Sequence, residues 1–211
     1  MSRRGRAAAI ASAVFGCAAM GYGAVTYAVL QGGRVTQWDQ AVDTWIHARQ
    51  TPVGDRVFVL ASLLALPGAW IIGVLVGLLL IWMRRWLLLG AWILALGGGG
   101  LLSLALKTAV DRPRPPYASA FLHDHSTSFP SGHAMNACLC YGMLAYVVTK
   151  LVALDRARVA ALYAAAAVIV LAVSVSRVYL AVHYPSDVVG GLLAATAWLA
   201  VSIGTVECAT R

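Results

Sequence analysis

Residues 176–187 read Ser-Arg-Val-Tyr-Leu-Ala-Val-His-Tyr-Pro-Ser-Asp, and they join two long apolar runs. A guanidinium, an imidazole and a carboxylate placed beside bilayer-depth segments cost several kcal/mol unless they are paired or face a wet cavity. Pro185 suits the first turn of a helix. That places Asp187 inside the turn and His183 just before it. A carboxylate holding one ring nitrogen leaves the other free to attack. The competing reading is a buried polar cluster that fixes one helix packing.

Working outward, the flanking runs belong to a set of six, at about residues 7–30, 57–82, 86–109, 132–150, 159–181 and 187–206. Each is close to the roughly 20 apolar residues needed to cross a bilayer. The 211-residue chain is 61% hydrophobic and 11% charged, with a mean hydropathy of +0.78. An ordinary soluble domain is about a quarter charged. A soluble all-helical core protein would need polar faces that these runs lack. The predicted fold is therefore all-α: a polytopic membrane protein forming one domain over residues 1–211. The first run continues well beyond Cys17, too far for the core of a cleaved signal peptide.

The net charge of +8 does not indicate nucleic acid, because the basic residues are scattered through short loops rather than gathered in a stripe. They read as topology signals. Arg3, Arg4, Arg6, Arg84, Arg85, Lys150, Arg156, Arg158 and Arg211 fall on one side of a six-span chain. Opposite them, outside the polar clusters, stand Arg34, Arg49 and Arg56 with three aspartates. The positive-inside rule then predicts cytoplasmic termini. Short loops and compact form suggest a bacterial inner membrane, with the polar insertion at 110–130 and the His183 turn facing outward together. Three of the four cysteines fall within predicted spans and Cys208 lies just past the last; none has metal-ligand spacing, and they read as small apolar fillers.

Between the first two runs, Val35, Trp38, Val42, Trp45 and Ile46 carry a helical rhythm, which predicts a short interfacial helix in the first outer loop. Asp39, Asp43 and His47 share one of its faces, read here as solvated. Pro67-Gly68 predicts a kink in the second span. Gly97 to Gly100 predict close helix contact or a local break in the third.

The remaining polar residues form two groups. Lys107 closes the third run, and Asp-Arg-Pro-Arg-Pro-Pro follows at 111–116, its prolines fixing where Arg112 and Arg114 point. Arg112 and Asp111 could stand behind a site or merely cap the third span. Ser-Phe-Pro-Ser-Gly-His at 128–133 opens the fourth run. Ser131 is a candidate N-cap, Gly132 permits close backbone approach, and free amides at a helix start bind anions. Cations, amide donors, two histidines and an acid suit a phosphoryl group in transfer. No carboxylate pair or Cys/His set in the pattern resembles a metal centre. The residues alone leave open which histidine attacks.

The three pieces, Lys107-x6-Arg114-Pro115, Pro130-Ser131-Gly132-His133 and Ser176-Arg177-x5-His183-x3-Asp187, resemble the signature of the type 2 phosphatidic acid phosphatase superfamily. That superfamily also includes vanadium haloperoxidases and acid phosphatases. The resemblance covers about residues 107–190. It implies a six-helix lipid phosphatase without a metal or other cofactor, acting on a membrane lipid phosphate. It also implies that His183 attacks phosphorus, that Asp187 holds its ring, and that His133 protonates the leaving group and then activates water. Lys107, Arg114, Ser131, Gly132 and Arg177 would bind the phosphate. Transfer to another acceptor through the same phosphohistidine is one alternative reading, and lipid transport is another. His123 and His125 read as solvated loop residues.

Overall fold

A computed structural model describes residues 3–117 and 127–209. His123 and His125 lie outside that range. Helix α1 spans Arg3–Leu30 and α2 Arg34–His47; the second span is α3, Pro52–Leu63, a π turn at Leu64–Gly68, and α4, Ala69–Trp82. The third span is α5, Trp86–Ile93, a π turn at Leu94–Gly98, and α6, Gly99–Val110; α7 (Gly132–Leu151), α8 (Arg156–Tyr179) and α9 (Pro185–Ala209) complete the fold. Among the described residues, six helical segments are long and apolar enough to cross a membrane. The chain is a multi-pass helical membrane protein, and the short α2 stands where the interfacial helix was expected.

Helix α7 is the most buried span. It packs against both α8 and α9, while α1 lies along α9 and α3 along α8. Met135, Ala137, Leu139, Met143 and Val147 fill its contacts. On the outer spans, large side chains such as Ile71, Val74, Leu78, Leu101, Val168 and Leu171 are exposed. Such a surface suits hydrocarbon, and each helix meets its own backbone hydrogen bonds there.

Both interruptions expected from Pro67-Gly68 and the glycine run are present, as π turns. Pro67 has no N–H to donate, and α7 supplies donors to carbonyls of this turn: Asn136 Nδ2 donates to Ala65 O at 2.7 Å and the Tyr141 hydroxyl to Leu64 O at 3.0 Å. At the other turn, Trp198 Nε1 donates to Leu94 O at 2.8 Å. A β-carbon on Gly98 would lie 2.7 Å from the Trp198 ring, and one on Gly99 would run into the Leu139 side chain. The glycine run therefore serves as a break and as a close contact.

One expectation is corrected. The aspartate face of α2 is turned inward, not toward solvent: Asp39 is 0% exposed and Asp43 is buried. Trp38 and Trp45 are outside instead, each more than half exposed. The physical reason is Arg112, which the chain delivers beneath α2 and pairs with Asp39 at 2.8 Å. Burial pushes the Asp43 carboxyl up from its ordinary range, against an opposing influence from His47. His47 in turn stacks on Tyr117, ring centroids 4.2 Å apart.

Candidate active site

The site forms where α6, α8 and the segment before α7 converge on the start of α9. Helix α8 ends at Tyr179, and Ala181 takes a left-handed φ of 52°. The amides of Val182 and His183 then both donate back to Arg177 O at 3.2 Å. This tight turn brings Arg177 and His183, six residues apart in sequence, to one place. Helix α9 begins at Pro185, as the sequence suggested. Asp187 reaches back so that the Tyr184 amide donates to its Oδ2 at 2.8 Å, half of a capping box.

Asp187 is fully buried and well supplied with donors. Its Oδ1 accepts from Arg112 Nη1 at 2.6 Å, and its Oδ2 accepts from the Ser128 hydroxyl. Oδ2 also faces His183 Nδ1 at 3.5 Å, an ion-pair separation rather than a hydrogen bond. Burial pulls the His183 imidazole down from 6.5 to about 4; Arg114 and Arg177 act in the same direction and Asp187 opposes them. For Arg112, burial works against the charge, but Asp187 and Asp39 outweigh it and raise its pKa above the ordinary value.

The cations are held by backbone and hydroxyl groups. Lys107 Nζ donates to Thr127 O at 2.7 Å, and Arg114 Nη1 to Val182 O at 2.8 Å. Arg177 Nη1 donates to the Ser62 hydroxyl on α3. Asp111, at φ 45°, ends α6 and turns the chain into the proline-stiffened stretch that carries Arg112 and Arg114.

The segment before α7 lies directly on α9. A cis Phe129–Pro130 peptide precedes Ser131, whose amide donates to Asp187 O at 2.9 Å. A β-carbon on Gly190 would meet the Phe129 ring at 2.7 Å, and one on Gly191 the Ser131 carbonyl oxygen at 2.6 Å. Ser131 occupies the N-cap position, but its side chain does not cap α7: the hydroxyl is buried and has no hydrogen-bond partner among the described residues. At Gly132 a β-carbon would sit 3.5 Å from Ser103 and 3.7 Å from Lys107, ordinary contact distances. The protein's own packing does not demand glycine there.

Lys107, Arg114, Gly132, His133 and His183 all line one cavity of about 490 Å³. Ser131, Arg177 and Asp187 are buried next to residues that line it: Ser131 precedes Gly132, the Arg177 carbonyl accepts from the His183 amide, and Asp187 faces His183 Nδ1. All eight residues singled out in the sequence thus converge. The cavity continues past Leu66, Trp70, Leu96, Leu101 and Leu139, so its polar end opens into an apolar groove. Sequence reasoning left Arg112 undecided, judged Asp39 solvated, and gave no role to Ser128, Ser186 or Gly190-Gly191. The Gly-Gly pair at the start of a span was the available signal for close backbone approach.

The six-span bundle with a cavity lined at its polar end by Lys107, Arg114 and two histidines defines a helical membrane protein with a cationic pocket. Residues 86–210 match the PAP2 superfamily, and the chain belongs to it. It is similar to phosphatidylglycerophosphatase B of Bacillus subtilis (strain 168), 41% identical over 99 residues. That alignment covers 47% of this chain and 48% of the relative, so the match spans about half the relative's length. Among solved structures, the chain resembles a transmembrane PAP2-type phosphatidylglycerolphosphate phosphatase from Bacillus subtilis. The TM-score is 0.82 at 29% identity, covering 93% of this chain and 98% of that one. Aquifex aeolicus LpxE is similar in fold, with a TM-score of 0.56 at 22% identity over 77% of this chain and 93% of that one.

Proposed function

We propose that this protein is a metal-independent phosphatase that hydrolyses a lipid phosphomonoester or pyrophosphate at the outer face of a bacterial inner membrane. The observation that carries the reading is the shared cavity, cationic where the two histidines meet and apolar along the groove. A phosphate headgroup and a lipid tail fit those two ends. The relatives named for phosphatidylglycerol phosphate make that lipid the first substrate to test.

In the proposed reaction Lys107, Arg114, Arg177, the Ser131 hydroxyl and the Gly132 amide hold the phosphate oxygens, where charge develops in the transition state. His183, its Nδ1–H directed at Asp187, attacks phosphorus through Nε2. The P–O bond to the leaving group breaks as His133 protonates the departing oxygen. A phosphohistidine results. His133 then takes a proton from water, which attacks phosphorus, releases inorganic phosphate and restores His183. The same cations that hold phosphate would repel a metal ion, which supports metal-free chemistry. The basic loops at Arg84-Arg85 and Lys150 to Arg158 lie at the end opposite the site, which supports an outward-facing site with cytoplasmic termini.

The test is phosphate release by the purified full-length protein in the presence of chelator. The panel comprises phosphatidylglycerol phosphate, phosphatidic acid, undecaprenyl pyrophosphate and lipid A phosphate. Release from at least one lipid is expected. Movement of lipid between leaflets without release of phosphate would instead identify a transporter.

A further inference from the structure

Asp39 lies on α2, outside the family match at 86–210 and outside all three motifs, yet it is two contacts from Asp187. Arg112 stands between the two carboxylates. Its Nη2 is 2.8 Å from Asp39 Oδ2 and its Nη1 2.6 Å from Asp187 Oδ1. Ser186 closes the cluster. Its amide donates to Asp39 Oδ1 at 3.0 Å, its hydroxyl donates to Asp39 Oδ2, and its oxygen accepts from Arg112 Nη1 at 2.8 Å. The guanidinium also lies over the Tyr184 ring, 4.3 Å from the centroid. All these polar groups are buried.

We propose that Asp39 is a positioning residue for the His183–Asp187 pair, acting through Arg112 and Ser186. This rests on the reading of His183 as the attacking base.

Two physical consequences support it. The first is orientation. A planar guanidinium gripping one carboxylate on each side cannot turn, so Asp187 Oδ1 is fixed and Oδ2 is left facing His183. The second is charge. One arginine against two buried carboxylates leaves one net negative charge beside the imidazole. Removing Asp39 turns the full charge of Arg112 on Asp187, and buried charges interact strongly. His183 would then lose the partner that favours its Nδ1–H and the cationic ring that forms when Nε2 bonds phosphorus. Among the described residues, the other charged or titratable groups around His183 are Arg114 from the loop and Arg177 from α8, with His133 from α7 and Lys107 from α6 lining the same cavity. The two arginines disfavour the ring's charge, and His133 supplies no negative charge. The carboxylate side of the balance is Asp187, with Asp39 behind it.

A residue that merely staples α2 to the bundle would loosen the site when removed and let the His183 ring titrate nearer its ordinary 6.5. A positioning residue does the opposite. The experiment is a ring-labelled histidine NMR titration of the full-length protein in micelles, with His183 assigned through His183→Gln. It is paired with kcat and KM for phosphate release from phosphatidylglycerol phosphate. Asp39→Asn is expected to move the His183 titration to lower pH. It should also reduce kcat by roughly ten- to a hundredfold with little change in KM, the scale seen when the outer partner of a working histidine is lost. Arg112→Gln is expected to move the titration to higher pH, and Asp39→Asn made on top of it should add little. Ser186→Ala, a milder loosening of the same link, should lower the titration by a smaller amount and carries the test if Asp39→Asn does not fold. An upward shift in Asp39→Asn or in Ser186→Ala overturns the proposal, as does an unchanged titration with unchanged kcat. If the wild-type protein releases no phosphate while Asp39→Asn still lowers the titration, the positioning role stands and the phosphatase reading falls.

Discussion

The Ser131 carbonyl rests on Gly191, so close that a β-carbon added to the glycine would lie 2.6 Å from the oxygen. This contact sets the distance between the start of α7 and the start of α9, and so between His133 and His183. Backbone cannot give way as the tip of a side chain can. Gly191→Ala is expected to destabilise the fold by about 1–3 kcal/mol and to lower phosphate release more than stability alone explains. Gly90→Ala, with nothing among the described residues within 4 Å of its added carbon, is the control and should be neutral or slightly stabilising. Thermal unfolding in micelles beside an activity assay separates the two.

His183→Ala is expected to reduce phosphate release by roughly a thousandfold or more, in keeping with loss of a covalent nucleophile. His133→Ala should cost about a hundred- to ten-thousandfold, the range for a general acid. It should cost least with substrates whose leaving group needs no proton. If His183→Ala retained near-normal turnover, the phosphohistidine route would be wrong.

Acid should weaken the fold through His183. Its ring binds a proton at about 4 in the folded chain and at about 6.5 once released. The unfolded chain therefore takes up the proton first. The stability contributed is complete above pH 6.5 and is lost as pH falls through the interval to 4. Unfolding midpoints measured across that interval should fall with pH, and the slope should diminish in His183→Gln. Over the same interval the nucleophile stays neutral, so its protonation should not limit turnover at about pH 5–7.

Gly97 lines both the polar-ended cavity and the adjoining apolar one of about 280 Å³, and a β-carbon added to it would find its nearest neighbour, Ile93 Cγ2, 4.0 Å away. Gly97→Leu should fill the groove. The expected outcome is roughly a tenfold rise in KM for a long-chain lipid phosphate, with kcat on a short-chain, water-soluble phosphate ester little changed. Equal losses on both would mean that the groove does not hold the tail.

Much of this could be read from residue order. The apolar runs end within a few residues of the observed spans, because length and hydropathy govern membrane crossing directly. The three motifs could be read too, since charges flanking spans are costly enough to demand a purpose. Pro67 and the run at Gly97 announced the two interruptions. The inward face of α2 did not announce itself. Asp39 and Asp43 at helical spacing look the same whether they meet water or a buried cation. The deciding partner, Arg112, is 73 positions away. Gly190 and Gly191 were silent for a similar reason: a small residue shows that something could come near, not what does.

The π turn at Leu64–Gly68 also governs aim. An added residue in a helical rod rotates everything beyond it by about 100°. Here α3 presents its side chains to α8, while α4, continuing the same rod, presents its own to α5 and α7. One crossing segment therefore works as two differently oriented halves. Deleting a single residue at Pro67 would leave an uninterrupted rod of nearly the same length, with one half turned toward the wrong neighbours.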